Sequence, residues 1–172
     1  MLTIEGWSRP DMEITTTQPD NARVTTERRG SEVIVTTDYP KKRFPRRNPF
    51  SGGNNFEVEY RIHVPATAHV VVHHQVGEVY LDGLSSDIDV TMRQGQILLH
   101  LLEANRYAIE ARSDYGSVIS DFPGYETRRF WLVGHTFAND APPGAAKLNL
   151  RARSGDIIIL KQHTPEALEA GH

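Results

Sequence analysis

Along much of this chain apolar and polar residues alternate with a period of two, which is the period of a half-buried strand. Seven, five and three residues before Gly77 stand Val70, Val72 and His74, and the same offsets before Gly95 give Ile88, Val90 and Met92. Before Gly116 they give Ile109, Ala111 and Ser113, and before Gly155 they give Leu148, Leu150 and Ala152. The alternate positions are mostly polar: Val71, His73, Gln75; Asp89, Thr91, Arg93; Glu110, Arg112, Asp114; Asn149, Arg151, Arg153. Two and four residues after each glycine come Val79, Leu81; Ile97, Leu99; Val118, Ser120; and Ile157, Ile159. These predict four strand-glycine-strand units sharing an inward face.

The glycines are 18, 21 and 39 residues apart, and the last interval is about two periods. The missing copy is expected at the degraded segment Arg128 to Gly134. One unit of some 20 residues cannot bury its apolar side alone, so stacking must supply the core. A sharp corner between strands calls for glycine, through positive φ or a close backbone approach. The fold class read from this is all-β, a solenoid-like stack of β-coils of the β-roll or β-helix type; a β-sandwich with similar hairpins is the alternative. With 13 valines, 11 isoleucines and 13 threonines, and no helical apolar spacing before the extreme C-terminus, composition agrees.

Ahead of the repeats, residues 1–65 carry short β-branched segments separated by turn residues, expected as first coils or a cap. Ala22 to Thr26 and Glu32 to Thr37 flank Arg29-Gly30-Ser31 and read as a hairpin. Phe56 to Val64 alternates strictly up to Pro65. Between them, Pro40 to Pro49 holds Lys41, Lys42, Arg43, Arg46 and Arg47 with three prolines and no acid, so it cannot be a central strand. One domain of 172 residues is expected, with a basic loop at 40–53, a repeat body at 68–161 and a tail at 162–172.

The segments Gly77-Glu78-Val79-Tyr80-Leu81, Asp87-Ile88-Asp89-Val90 leading to Gly95-Gln96-Ile97, Tyr107 to Ala111 followed by Ser117 to Phe122, and Leu148-Asn149-Leu150 leading to Gly155-Asp156-Ile157 resemble the bacterial putative-adhesin family. The opening Leu2 to Trp7 is similar to the first coil of such proteins. The resemblance implies a β-solenoid-like domain without catalytic residues to carry over. It also implies export to the periplasm or cell surface after removal of a signal absent from this chain; a cytoplasmic polymer-forming scaffold is the alternative. The basic loop departs from the family's plain coils.

Net charge is −3, so no global field draws the chain to nucleic acid, and no run approaches the roughly 18 apolar residues of a membrane span. The absence of cysteine excludes disulfides, thiolate metal sites and a cysteine nucleophile. No nucleotide, hydrolase or metalloprotease motif occurs, and no cofactor is expected. His69, His73, His74, His63 and His100 invite a metal, but His73 and His74 point to opposite faces of a strand. Asp87, Asp89, Glu110 and Arg112 are the residues of an alternative, lyase-like carbohydrate enzyme; their plainer reading is charge alternation on a wet face. The basic loop is a candidate for anionic ligands. A last set, Tyr80, Leu98, Ile119 and Ile158, makes the outer side of the second strands apolar too. This stripe is expected either to lie beneath the N-terminal strands or the C-terminal tail, or to dock a second molecule. The chain is thus expected to be a non-enzymatic adhesin-like scaffold whose partners are itself, an envelope protein or a glycan.

Overall fold

The computed structural model describes residues 1–17, 23–38, 59–101, 106–128 and 134–162. Among them are twelve strands and no α-helix: β1 (Leu2–Trp7), β2 (Glu13–Thr17), β3 (Arg23–Arg29), β4 (Glu32–Asp38), β5 (Glu59–Pro65), β6 (His69–Asp82), β7 (Ile88–Leu101), β8 (Tyr107–Tyr115), β9 (Val118–Ser120), β10 (Tyr125–Arg128), β11 (His135–Ala138) and β12 (Ala146–Lys161). The basic loop from Lys41 to Arg47 and the tail from 163 onward lie outside the described residues.

Long strands β6, β7 and β12 lie parallel and side by side, with Gly77 opposite Gly95 and Gly95 opposite Gly155. Parallel β8 borders the first half of β12, and short β9 borders its second half. The glycine column is continued by Gly116, which abuts the Gly155 carbonyl. All four glycines have positive φ, from 126° at Gly77 to 158° at Gly116.

The phase of alternation changes across that column. Buried positions are Val70, Val72 and His74 before the corner and Val79 and Leu81 after it, and β7 repeats this with Ile88, Val90, Met92 and then Ile97, Leu99, Leu101. A flat strand would turn its second half to the opposite face. Each long strand instead changes direction at its glycine, and both halves contribute to one apolar core. Ser113, at a core position, donates to the Gly155 carbonyl at 2.7 Å, so its hydroxyl is satisfied where a methyl would otherwise stand. Asp156 accepts both the Ser117 amide (2.8 Å) and hydroxyl (2.7 Å), pinning β9 to β12; those bonds lower the pKa of its carboxyl.

The all-β expectation and the inward ladder are thus observed, but the stacking order is not the chain order. β12, the last strand, lies between β7 and β8. A simple solenoid would have placed β8 against β7. Residues 129–133 of the expected degraded copy lie outside the described residues; the strands on either side of them, β10 and β11, pair antiparallel, and β11 lines the outer edge of β8. Asn139 extends that pairing, its amide donating to the Tyr107 carbonyl (3.0 Å) while its Oδ1 accepts the Ile109 amide (2.7 Å).

The β3–β4 hairpin forms around Gly30 as read from the sequence, and β4 runs parallel to the first half of β6. The second half of β6 takes β1, followed by β5 and antiparallel β2. The N-terminal strands therefore extend the sheet sideways. The result is a mixed sheet running from β10 to β2 that does not close on itself.

Candidate functional site

The placement of β12 governs the outer face. In register across β7, β12, β8, β11 and β10 run Thr91, Arg151, Arg112, Thr136 and Thr127. Two residues along the same strands stand Arg93, Arg153 and Asp114, on the same side by the two-residue period. Arg112 is held by Asp114, with Nε donating to Oδ1 at 2.9 Å and a second guanidinium nitrogen at 2.8 Å. Arg151 and Arg153 form no ion pair among the described residues.

Two depressions meet at Arg112, Asp114 and Arg153. One, of about 550 Å³, adds Ser113, Tyr115, Thr127, Gly134 and Thr136; the other, of about 380 Å³, adds Thr91, Met92, Glu110, Arg151 and Ala152. Tyr115 is 53% exposed at the first. The trough therefore carries guanidinium groups with free donors, a few hydroxyls, two carboxylates and one open aromatic ring. Two cations in register on adjacent strands, as Arg151 and Arg112 are, repel each other and cost stability. Arginine also presents a planar fork suited to carboxylate or phosphate oxygens.

Of the acids and arginine expected to act together, only Glu110 and Arg112 share this trough. Asp87 accepts the Lys147 backbone amide at 2.7 Å. Asp89 accepts from Asn149 at 2.8 Å through one oxygen and from His69 at 3.0 Å through the other. Asn149 stands between Asp89 and Glu110 in the register, so the two backbones are about 9.6 Å apart, twice the strand spacing. Asp89 and Glu110 therefore do not stand side by side on adjacent strands. The alignment of offsets had put Arg112 and Arg151 in one column. It had no means of showing that they are immediate neighbours, or that β10 and β11 add a second wall.

Tyr80, Leu98, Ile158 and Ile119 do form one row across β6, β7, β12 and β9. The first three are half-buried and Ile119 is 51% exposed. Thr3 and Arg61 continue the row on β1 and β5, beside the stripe and in the same sheet. The N-terminal strands thus do not lie over it. The Tyr80 hydroxyl is 2.9 Å from Nδ1 of His100, and the two rings meet edge to face.

The histidines are dispersed. His63 is 2.9 Å from Glu5 and stacks on Trp7, His69 lies between Asp89 and Glu32, and His74 is buried. Among the described residues no group of three or more His, Cys, Asp or Glu could hold a metal ion. Burial lowers the pKa of His74 to about 4. No helix among the described residues is long and apolar enough to cross a membrane.

No protein-family model matches the chain, and no curated protein matches it. Among solved structures, the chain is similar to one described as a "putative cell adhesion protein" from Clostridium sporogenes ATCC 15579, at 14% identity and a TM-score of 0.49. That similarity covers 94% of this chain and 87% of the other.

Proposed function

We propose that this chain is a non-enzymatic, adhesin-like scaffold of the bacterial cell envelope, exported to its site of action, which presents the outer face of a stiff β stack to a partner. The glycine column is read with it as the corner of a solenoid-like roll whose coils are interleaved. The observation that carries the proposal is the row of outward side chains held in register across β7, β12 and β8, with Arg151 and Arg112 side by side. Such a surface is preorganised by backbone pairing on both sides, so binding costs little ordering entropy.

The lyase-like alternative requires free carboxylates near a common point. Asp89 has both oxygens engaged and Asp87 is turned to a backbone amide, which favours binding over turnover. The test incubates the purified chain with acidic and neutral glycans, following retention and polymer length by size-exclusion chromatography. Retention without shortening is expected. Shortening that disappears in Asp89→Ala overturns the proposal in favour of the enzyme, and retention of no glycan together with no self-association overturns it outright.

A further inference from the structure

We infer that the trough formed by Arg112, Arg151 and Arg153 is a binding site for an anionic glycan, the acid groups seated on the arginines and a sugar ring laid on Tyr115. The inference rests on the scaffold reading and assigns it a site and a ligand chemistry.

Four features lead to this. Arg151 and Arg153 are exposed and form no ion pair among the described residues, so their donors are available to an incoming acid. Their neighbour Arg112 is fixed in orientation by Asp114, which leaves the rest of its fork facing the cleft. Adjacent strands are about 4.8 Å apart and alternate residues on a strand about 6.6 Å, so the three guanidinium groups form a patch able to meet successive charges on a polymer. The repulsion between Arg151 and Arg112 is relieved when an anion sits between them.

The remaining residues select among anions. Thr91, Thr127 and Thr136 provide hydroxyls, and the carboxylates of Glu110 and Asp114 accept hydrogen bonds from ligand hydroxyls. Those carboxylates repel a ligand of uniformly high charge density such as a nucleic acid, and the net charge of −3 supplies no long-range attraction for one. A ligand bearing alternating acid and hydroxyl groups, with an apolar ring face for Tyr115, matches both halves of the lining. The open form of the two adjoining depressions, about 550 and 380 Å³, suits a chain segment better than an enclosed small molecule.

The test is binding of the full chain to polygalacturonate, a sparsely sulfated dextran, neutral dextran and duplex DNA, by calorimetry at two salt concentrations. The first two probes separate carboxylate from sulfate as the preferred acid. Wild type is expected to bind at least one of them, to bind neither dextran nor DNA measurably, and to weaken as salt rises. Arg151→Ala and Arg153→Ala should each weaken binding about tenfold or more, as loss of one charge-assisted contact does. Arg61→Ala, on β5 beside the other end of the sheet, should leave binding unchanged. Thermal melts guard against misfolding: Arg151→Ala should melt no lower than wild type, because it removes a like-charge neighbour. Binding of the acidic glycans that is indifferent to Arg151→Ala and Arg153→Ala, equal affinity for DNA, or no binding of either acidic glycan would overturn the inference. In each of those cases retention of another glycan without cleavage leaves the scaffold reading standing, whereas shortening of the polymer removes it.

Discussion

A Cβ built on Gly95 would overlap the carbonyl of Gly77, and one on Gly155 would overlap that of Gly95, so these two positions are closed to every other residue on steric grounds as well as by their positive φ. Gly30 also has positive φ, at 64°, yet nothing lies within 4 Å of its absent side chain. Gly95→Val should therefore cost about 3 kcal/mol or more in urea unfolding, combining backbone strain with a clash that the neighbouring strand must absorb. Gly30→Ala should cost only about 1 kcal/mol, since strain alone applies. Equal losses at the two sites would mean that the corner is not stacked. His74 gives a second residue-level prediction. Its pKa is lowered to about 4 by burial, so the unfolded chain binds a proton that the folded one refuses over the interval from about 6.5 down to about 4. Stability should be full above that window and fall as pH drops through it, by on the order of 3 kcal/mol. In His74→Leu that increment should be missing when urea midpoints at pH 7.5 and pH 4.5 are compared.

At the scale of elements, the two-residue period was enough to sort the faces. The inward offsets at Val70, Ile88, Ile109 and Leu148 are all buried, and the hairpin at Gly30 was legible from its turn residues. What periodicity could not carry was pairing between strands far apart in sequence, because every repeat has the same pattern and so fits beside every other. That is why β12 could be read as the end of a stack when it lies between β7 and β8. The outer apolar residues do form a row, but the N-terminal strands offered as one of its covers do not lie on it, since β1 and β5 join the edge, and the C-terminal tail lies outside the described residues. Adjacent positions on β7 separate the two faces. Leu99 has no exposed surface, so Leu99→Asp should abolish folding by burying an unpaired charge. Leu98 is half-buried on the outer face, and Leu98→Asp should leave a folded protein weakened by about 1–2 kcal/mol, as judged by circular dichroism melts.

For the whole molecule, the charge balance and the trough must be considered together. An overall charge of −3 hides a local excess of arginine that exists only because the last strand is inserted before the third repeat. The column of offsets supplied the residue types of the site, and the topology supplied their adjacency. The placement of β12 is thus the claim on which the arginine trough depends. It is tested most directly by engineered cysteine pairs, since the natural chain has no cysteine to interfere. In register neighbours on adjacent strands are about 4.8 Å apart, within disulfide reach, whereas positions two strands apart are about 9.6 Å apart and beyond it. Under mild oxidation the pair Arg112→Cys with Arg151→Cys should crosslink in the folded protein, and the pair Thr91→Cys with Arg112→Cys should not. Crosslinking of Thr91→Cys with Arg112→Cys, without crosslinking of Arg112→Cys with Arg151→Cys, would restore a stack in chain order and contradict this account.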